Sequence, residues 1–303
     1  CSDGIPVTIR FDVEDLIEPT LVLSPAGGLC TGNDITVQAE RGDVNMNYVF
    51  EIDDVIVQDS TADFITIPRN TRLAGDYIVS VYGESATCST TVVITTLIIT
   101  DPPTLTVTYT TNVVANAVCA GDAFTFTVSD TQSSNTTYTL TYPGQSASEE
   151  VFSTTGIATF TLTLTDTKQL TITSEPASGC GATVTPTVYV PKISDSGAIS
   201  YTGTTSLCVG DGFSEDISNT TSATLVDSST ASVTYKWFYS NGGGQVPIMG
   251  AVSYTLEKAD LQAAIPTVDR SITIYRYAYA TRGGKQCSDG IPVTIRFDVE
   301  DLI

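Results

Sequence analysis

Short stretches in which apolar and polar residues alternate cover most of this chain. In residues 18–101 they follow one another as "TLVLS", "DITVQAE", "NYVFEID", "VIVQD", "DFITIP", "GDYIVSVYG" and "CSTTVVITTLII". Alternation with a period of two predicts half-buried β-strands, and the Gly, Pro, Asn and Asp residues between the stretches predict turns. Seven short strands within about 90 residues predict an antiparallel immunoglobulin-like β-sandwich. Helical periodicity is limited to "LEKADLQAAI" at residues 256–265.

A cysteine motif divides the chain into units of similar length. The pattern C-x-G-(D/N) begins at Cys30, Cys119 and Cys208, with two equal spacings of 89 residues (119 minus 30, and 208 minus 119). A second cysteine comes shortly before the last alternating stretch of each unit; these cysteines are Cys88, Cys180 and Cys287. A fixed period of this length is the mark of a repeat architecture.

The units predict three tandem sandwiches in an elongated array. Domain A comprises residues 18–101, domain B residues 102–191 and domain C residues 192–303. Pro residues in "DLIEP", "TDPP" and "VPKIS" indicate the linkers, because Pro cannot donate to a strand ladder. The third strand of each unit carries a tyrosine two residues before a large apolar residue; these tyrosines are Tyr48, Tyr138 and Tyr235.

The two ends of the sequence are identical. The seventeen residues "CSDGIPVTIRFDVEDLI" occur at 1–17 and again at 287–303, an offset of 286 residues (287 minus 1). We therefore expect the sequence to be one full repeat of a longer tandem array plus an overlap. Residues 1–17 would be the last strand of the preceding repeat's third domain. Cys1 is then a copy of Cys287, and its partner lies outside the sequence.

The charge balance argues against several classes of partner. The chain has 34 Asp and Glu residues against 13 Lys and Arg residues, a net charge of −21. Such a surface repels nucleic acids and anionic membranes, so neither is expected as a partner. The longest apolar run, residues 92–99, is too short to span a bilayer, so no membrane insertion is expected either.

The cysteines are expected to form disulfides. The chain has no C-x-x-C pair and no histidine, which disfavours metal-binding or nucleophilic cysteines. Disulfides imply an oxidising, extracellular setting. The simplest pairing lies within each domain: Cys30–Cys88, Cys119–Cys180 and Cys208–Cys287. The two positions lie at opposite ends of a standard sandwich, however, so pairing between neighbouring domains stays open.

Catalysis is not expected. Without histidine there is no Ser-His-Asp or Cys-His arrangement, and no cofactor is implied. Calcium is the one metal ion that the sequence suggests, because four carboxylates that could bind it lie together in "FDVEDLIEP" at a domain junction. They are Asp12, Glu14, Asp15 and Glu18. A solvated acidic linker is the alternative.

Domain C has an aromatic pattern that suggests either a core or a binding face. Alternation in "YKWFYS" places Tyr235, Trp237 and Tyr239 on one face of a strand, and "YRYAYATR" has the same spacing of tyrosines. A sandwich core with cross-strand aromatic pairs explains most of this pattern. Phe238 is expected to point outward, near Arg276, and this pair is the candidate binding site.

The stretches "VCAGDAFTFTV", "LCTGNDITVQ" and "GDYIVSVYGESATCSTTVVIT" resemble the Ig-like and PKD-like tandem repeats of giant Bacteroidetes cell-surface proteins. Those proteins are often exported by type IX secretion, and some are gliding-motility adhesins. The resemblance covers all three units and implies an extended surface fibre. It also makes Ser60, in "DST", a candidate O-glycosylation site. Domain B departs from the pattern, since its sixth strand lacks the "GxY" of "GDYIVSV".

These observations together predict a structural repeat of a secreted surface adhesin. Its role would be to hold a distal tip away from the cell and to bear load. Its partners would be neighbouring repeats of the same chain and other copies in a fibre. Two alternatives remain: a glycan- or partner-binding module on the aromatic face of domain C, and a subunit of a fibre held together by strand exchange.

Overall fold

The structure, a computed structural model, describes residues 9–10, 16–25, 29–40, 42, 46–109, 112–130, 135–177, 179–251, 255–264 and 271–300. Almost all regular structure in these residues is β-strand. The stretch with helical periodicity contains a short 3-10 helix, Asp260–Ala264. Within the described residues, no helix has the length and hydropathy needed to cross a membrane.

Domain A is built from two sheets. Its strands are β1 (Thr20–Ser24), β2 (Leu29–Cys30), β3 (Ile35–Glu40), β4 (Asn47–Ile52), β5 (Val55–Ser60), β6 (Phe64–Ile67), β7 (Gly75–Glu84) and β8 (Val93–Thr100). One sheet has the order β1-β3-β6 and the other the order β2-β8-β7-β4-β5. All pairs are antiparallel except β2 with β8, which run parallel. This arrangement, in which the last strand of the domain is flanked by a short parallel strand, is repeated in domain C.

Domain B has the same plan. Its strands are β9 (Thr106–Tyr109), β10 (Ala123–Ser129), β11 (Thr136–Thr141), β12 (Glu149–Ser153), β13 (Ile157–Thr163), β14 (Lys168–Gln169), β15 (Thr171–Pro176), β16 (Ala182–Val184) and β17 (Thr187–Val188). The sheet β13-β10-β9 packs on the sheet β12-β11-β15-β16, and β14 pairs with β17. A parallel bridge between Ala117 and Tyr189 takes the place of the short parallel strand.

Domain C is larger and less regular. Its strands are β18 (Ile193–Asp195), β19 (Ala198–Tyr201), β20 (Ser206–Cys208), β21 (Ile217–Thr221), β22 (Thr224–Leu225), β23 (Ser232–Ser240), β24 (Val246–Pro247), β25 (Ile272–Arg282), β26 (Lys285–Cys287) and β27 (Val293–Glu300). The main sheet has the order β20-β27-β25-β23-β24, with β26 attached to β25. Strand β20 runs parallel to β27, as β2 runs parallel to β8 in domain A.

Burial follows the period-two alternation on which the strand predictions were based. In β10 every second residue is buried, so that Phe124, Phe126 and Val128 face the core. Each large cluster of buried apolar side chains draws on the residues of one predicted domain. The chain is therefore a series of immunoglobulin-like sandwiches, which confirms the predicted all-β class. The exact domain boundaries stay predictions.

The tyrosine that recurs in the third strand of each unit acts as a buried polar anchor in domain B. Tyr138 is fully buried in β11, and its hydroxyl lies 2.7 Å from Oδ2 of Asp130 and 2.8 Å from the carbonyl oxygen of Gly156. Burial and the neighbouring Asp130 raise the pKa of this phenol well above its ordinary value. The hydroxyl thus ties β11 to the turn before β13.

Replacing this hydroxyl is expected to destabilise domain B. Tyr138→Phe should lower the free energy of unfolding by about 1–2 kcal/mol, because Asp130 and the Gly156 carbonyl lose a buried donor. The folded phenol has the higher pKa, so above about pH 10 the unfolded state releases the proton first and stability falls as pH rises. Denaturant titrations at several pH values should show that this alkaline loss is smaller in Tyr138→Phe. An equal loss in both proteins would contradict the assignment.

Candidate functional site: disulfide-linked joints between domains

The two cysteine positions of a domain lie at opposite ends of its sandwich. Cys30 ends the short strand β2 and is in register with Thr100, the last residue of β8. Cys88 lies at the other end, in the hairpin that joins β7 to β8, where its carbonyl accepts a hydrogen bond of 2.8 Å from the Ser85 amide. Strand β8 has 8 residues, so the two ends are separated by about 25 Å.

The cysteines of consecutive domains are paired. Cys30 of domain A is bonded to Cys180 of domain B, with Cα atoms 5.6 Å apart. Cys119 of domain B is bonded to Cys287 of domain C, with Cα atoms 5.2 Å apart. In both joints, a cysteine beside the end of one domain's last strand is bonded to a cysteine in the last hairpin of the next domain.

This pairing corrects the predicted one. Cys30–Cys88, Cys119–Cys180 and Cys208–Cys287 are not the bonds of the structure, which instead follows the interdomain alternative. The reason is distance, since a disulfide requires Cα atoms within about 7 Å, far less than the length of a sandwich. In the described part of the chain, Cys88 and Cys208 are outside any disulfide; Cys88 is exposed and Cys208 is half-buried.

Polar contacts reinforce the joint between domains B and C. The guanidinium carbon of Arg282 lies 3.4 Å from the ring centroid of Tyr189, a cation–π contact. Nζ of Lys285 donates a 2.9 Å hydrogen bond to the carbonyl oxygen of Asn112. Both basic residues belong to the same hairpin as Cys287, so this hairpin of domain C is held to domain B by one covalent bond and two cationic side chains.

The tip of that hairpin fits closely against domain B. Gly283 has φ +53°, and a Cβ there would lie 2.2 Å from the Cβ of Ala115. Two non-bonded carbon atoms cannot lie this close, so this position accommodates only glycine. The close approach explains why the hairpin sequence "RGGK" places glycine at its turn.

Adding one carbon at this contact is expected to loosen the joint. Gly283→Ala should make the Cys119–Cys287 bond several-fold easier to reduce, because the hairpin must move away from Ala115. Gly250→Ala is the matched control, since Gly250 also has a positive φ, +84°, and a Cβ there meets no atom within 4 Å. The measurement is the rate of thiol labelling of Cys287 during titration with dithiothreitol. Equal rates in the two variants would count against the contact.

The joint between domains A and B is built around the disulfide itself. Cys180 is fully buried, and its Sγ lies 3.0 Å from Oγ1 of Thr100. Cys30 is 4 % exposed. A bond this well covered is protected from reductants in solvent, which suits a permanent cross-link.

The predicted binding pair of domain C is split between the two faces of its sheet. Arg276 is opposite Trp237 in the β23–β25 register and is fully buried, so it does not share a face with Phe238. Its Nη2 donates a 2.6 Å hydrogen bond to the Ser196 carbonyl, and its guanidinium lies 4.8 Å from the ring centroid of Tyr235. Desolvation by burial lowers the pKa of Arg276 from its ordinary value. Arg276 is therefore a structural anchor rather than a binding residue.

Phe238 does point away from the core, among half-buried aromatic side chains. Its ring is 5.5 Å from that of Tyr277 in an edge-to-face arrangement. Tyr275 and Tyr279 share this outer face because they alternate with buried residues along β25. Lys236 is exposed, with Nζ 4.7 Å above the Tyr279 ring. We call this set the outer aromatic face; its residues are Lys236, Phe238, Tyr275, Tyr277 and Tyr279.

The predicted calcium site falls mostly outside the described residues. Asp12, Glu14 and Asp15 are not described, and the carboxylate of Glu18 accepts a hydrogen bond from the hydroxyl of Thr91. Where the structure describes side chains, no group of three or more His, Cys, Asp or Glu residues is arranged to hold a metal ion. The calcium site therefore stays a prediction.

Ser60, the predicted glycosylation site, lies at the end of the edge strand β5. Its Oγ accepts a 3.2 Å hydrogen bond from the amide of Ala62. The same edge carries exposed apolar residues, Val55, Ile56 and Val57, beside a cleft between the two sheets of domain A. Glycosylation of Ser60 stays a prediction.

Known proteins share the general architecture but little sequence. No protein-family model matches the chain, and no curated protein sequence matches it either. Among solved structures, the three N-terminal domains of the highly immunogenic outer capsid protein of bacteriophage RB49 align over 95% of this chain and 100% of theirs, at 13% identity and a TM-score of 0.38. The fibronectin(III)-like modules of Clostridium thermocellum CbhA align over 56% and 94%, at 14% identity and a TM-score of 0.33. The human OSCAR ligand-binding domain aligns over 55% and 97%, at 15% identity and a TM-score of 0.23. The sequence identities and TM-scores are too low to support a conclusion, so the fold assignment rests on the strand order.

Sequence reasoning did not identify the basic residues of the joint. Arg282 and Lys285 are two of the chain's 13 basic residues, and they flank the glycine pair that forms the turn of the hairpin. In a chain this acidic, two basic residues next to a cysteine-bearing turn could have indicated a contact with another domain. Their partners, Tyr189 and the Asn112 carbonyl, carry no comparable signal in the sequence.

Proposed function

We propose that this chain is a load-bearing repeat of an extended extracellular fibre, the stalk of a secreted surface adhesin. The observation that carries the proposal is the pairing of cysteines from consecutive domains. Disulfides within domains would stabilise each sandwich alone, whereas bonds between domains limit bending and separation at the joints. That property serves a fibre that must transmit force.

An extracellular location is part of this proposal. Two disulfides in one chain favour an oxidising compartment, because cytosolic thiols are kept reduced. A net charge of −21 keeps such a fibre soluble and repels it from other acidic surfaces. The resemblance of the sequence to Bacteroidetes surface repeats supports the same role and suggests export by type IX secretion, with gliding motility as one setting.

The proposal is tested by the stiffness of the joints. Negative-stain images of the whole chain should show a narrow distribution of angles between consecutive domains, and dithiothreitol should broaden it. Cys88→Ser is the matched control, because Cys88 is outside both disulfides, and it should leave the distribution narrow. A distribution that is equally broad before and after reduction would show that the bonds do not stiffen the array.

A second candidate function rests on the outer aromatic face. Half-exposed aromatic rings beside a lysine suit the stacking of sugar rings or contact with a partner protein. The hydroxyl of Tyr277 lies 3.0 Å from Nε2 of Gln245, which adds a hydrogen-bonding group. We expect Phe238→Ala to abolish binding on a glycan array, while Asp298→Ala, at an exposed position beyond the β25–β27 pairing, leaves it unchanged. Equal binding by both variants would remove this candidate.

Strand exchange is not favoured by the pairing in domain C. Strand β27 pairs with β25 of the same domain, with Ile272 opposite Phe297 and Ile274 opposite Ile295. The last strand of the domain therefore already has its place in the chain's own sheet. A covalent array needs no exchanged strand to connect its domains.

A further inference from the structure

Cys208 and Cys88 occupy the positions that are disulfide-bonded elsewhere in the chain. We propose that Cys208 forms a disulfide with Cys88 of a following copy of this repeat, so that the joint between successive repeats is closed like the two joints within one. The inference rests on the proposed function, since it requires copies joined end to end. The partner of domain C at this joint is domain A of a second copy.

Cys208 has the local structure of the two bonded cysteines that begin the C-x-G-(D/N) motif. In all three motifs the amide of the third residue after the cysteine donates to the cysteine carbonyl: Asn33 to Cys30 at 3.0 Å, Asp122 to Cys119 at 3.1 Å and Asp211 to Cys208 at 3.0 Å. The glycines of the second and third motifs have nearly the same φ, +83° and +84°. Cys208 therefore shares its hydrogen-bonded turn with both bonded cysteines, and the glycine of its motif has the conformation of the glycine that follows Cys119.

The strand that leads into each turn is also equivalent. Cys208 is in parallel register with Glu300 of β27, as Cys30 is with Thr100 of β8. The following residue donates its amide to that strand end in both cases, Thr31 to Thr100 and Val209 to Glu300, each at 3.1 Å. Cys208 thus lies at the end of domain C that corresponds to the bonded end of domain A.

Cys88 lies at the complementary place on domain A. It is in the hairpin before the last strand, the position that Cys180 holds in domain B and Cys287 in domain C. Hydrogen bonds from the Cys88 amide to Ser85 Oγ and from the Ser85 amide to the Cys88 carbonyl fix the turn. The thiol is exposed, whereas Cys180 and Cys287 are buried by the preceding domain. A preceding copy of domain C would cover it in the same way.

Acidic residues near Cys208 do not prevent this bond. Desolvation and the carboxylates of Asp211 and Glu300 raise the pKa of the Cys208 thiol. The bonded Cys119 has an aspartate at the same motif position, Asp122, so a carboxylate there is compatible with a disulfide. The raised pKa lowers the thiolate fraction, and exchange should therefore be run in mildly alkaline buffer.

The bond forms by two thiol–disulfide exchanges with a small disulfide oxidant, for which oxidised glutathione is the probe. The Cys88 thiolate attacks one sulfur of oxidised glutathione, forms a mixed disulfide and releases one reduced glutathione. The Cys208 thiolate of the other copy then attacks the Cys88 sulfur and releases the second. Two protein thiols are oxidised to one disulfide, and one glutathione disulfide is reduced to two thiols.

The test uses the whole chain in which Cys1→Ser removes the seventh cysteine. Incubated with oxidised glutathione, this chain should form a ladder of covalent oligomers on non-reducing gels. Added Cys208→Ser or Cys88→Ser should each abolish the ladder, because each variant keeps only one half of the bond. A mixture of the two single variants should give a covalent heterodimer, and its digest should contain a Cys88 peptide joined to a Cys208 peptide.

Two results would overturn the inference. One is that every chain remains monomeric with glutathione on Cys88 and Cys208. The other is that either variant alone forms homodimers as readily as the mixture forms heterodimers, which would indicate random oxidation. The same digests report Cys30–Cys180 and Cys119–Cys287. If those bonds are found without Cys88–Cys208, only this inference fails; if they are missing, the proposed function fails.

Discussion

Reducing the two disulfides is expected to increase about fourfold the length of polypeptide that a pulling force can extend between Cys30 and Cys287. Along the backbone these residues are 257 residues apart (287 minus 30), about 900 Å when fully extended. With both disulfides intact, force passes from Cys30 to Cys180, back along 61 residues to Cys119 (180 minus 119), and across to Cys287. That path extends to about 210 Å. Single-molecule force spectroscopy with and without dithiothreitol measures the difference.

A cysteine variant distinguishes this pairing from pairing within domains. Intradomain bonds would also shorten the extensible path, so the oxidised length alone is not decisive. Cys88→Ser should leave the oxidised length unchanged, because Cys88 is in neither bond. If Cys88 were instead bonded to Cys30, the variant would release 58 further residues (88 minus 30), about 200 Å. Observing that increase would show that the interdomain pairing is wrong.

Replacing Arg276 by alanine is expected to lower the stability of domain C by about 3 kcal/mol. The side chain is fully buried between strands, and its guanidinium packs near Tyr235 and Trp237. Truncation would leave a cavity and deprive the Ser196 carbonyl of its 2.6 Å hydrogen bond. The chain has one tryptophan, Trp237, so its fluorescence during urea unfolding reports on domain C.

Arg296→Ala is the control for this measurement. Arg296 lies on the adjacent strand β27, and its ion pair with Asp298, at 3.3 Å, is exposed to solvent. Exposed pairs contribute at most about 1 kcal/mol, so its loss should barely shift the urea midpoint. Arg276→Lys should recover part of the stability by retaining a buried donor. If Arg276→Ala unfolds at the same urea concentration as Arg296→Ala, the anchoring role of Arg276 is refuted.

The strand pattern of this chain could be read from sequence because each strand has one face in a core. In β10 the alternation of "AFTFTVS" places Phe124, Phe126 and Val128 on the buried side. The same rule led to an error in β25, where large tyrosines suggested a buried face. There the buried face consists of Ile272, Ile274, Arg276, Ala278 and Ala280. The small side chain of Ala278 lies opposite the large Tyr235 of β23, a complementarity between strands that one strand's pattern does not reveal.

Disulfide formation was predicted, but the choice of partner cysteines could not be, for a different reason. Spacing along the chain shows that Cys30 and Cys88 belong to one domain, and the strand order of a sandwich shows that they lie at opposite ends. Which end meets which neighbour depends on how consecutive domains are stacked. That stacking is fixed by contacts such as Gly283 against Ala115 and Lys285 with Asn112, between residues about 170 positions apart.

The two disulfide loops overlap, and this gives the chain resistance to cleavage. One loop runs from Cys30 to Cys180 and the other from Cys119 to Cys287, so residues 119–180 belong to both. A protease that cuts one peptide bond anywhere between Cys30 and Cys287 therefore leaves the two fragments covalently joined. For a fibre exposed to extracellular proteases, a single nick would not detach whatever the fibre carries at its far end.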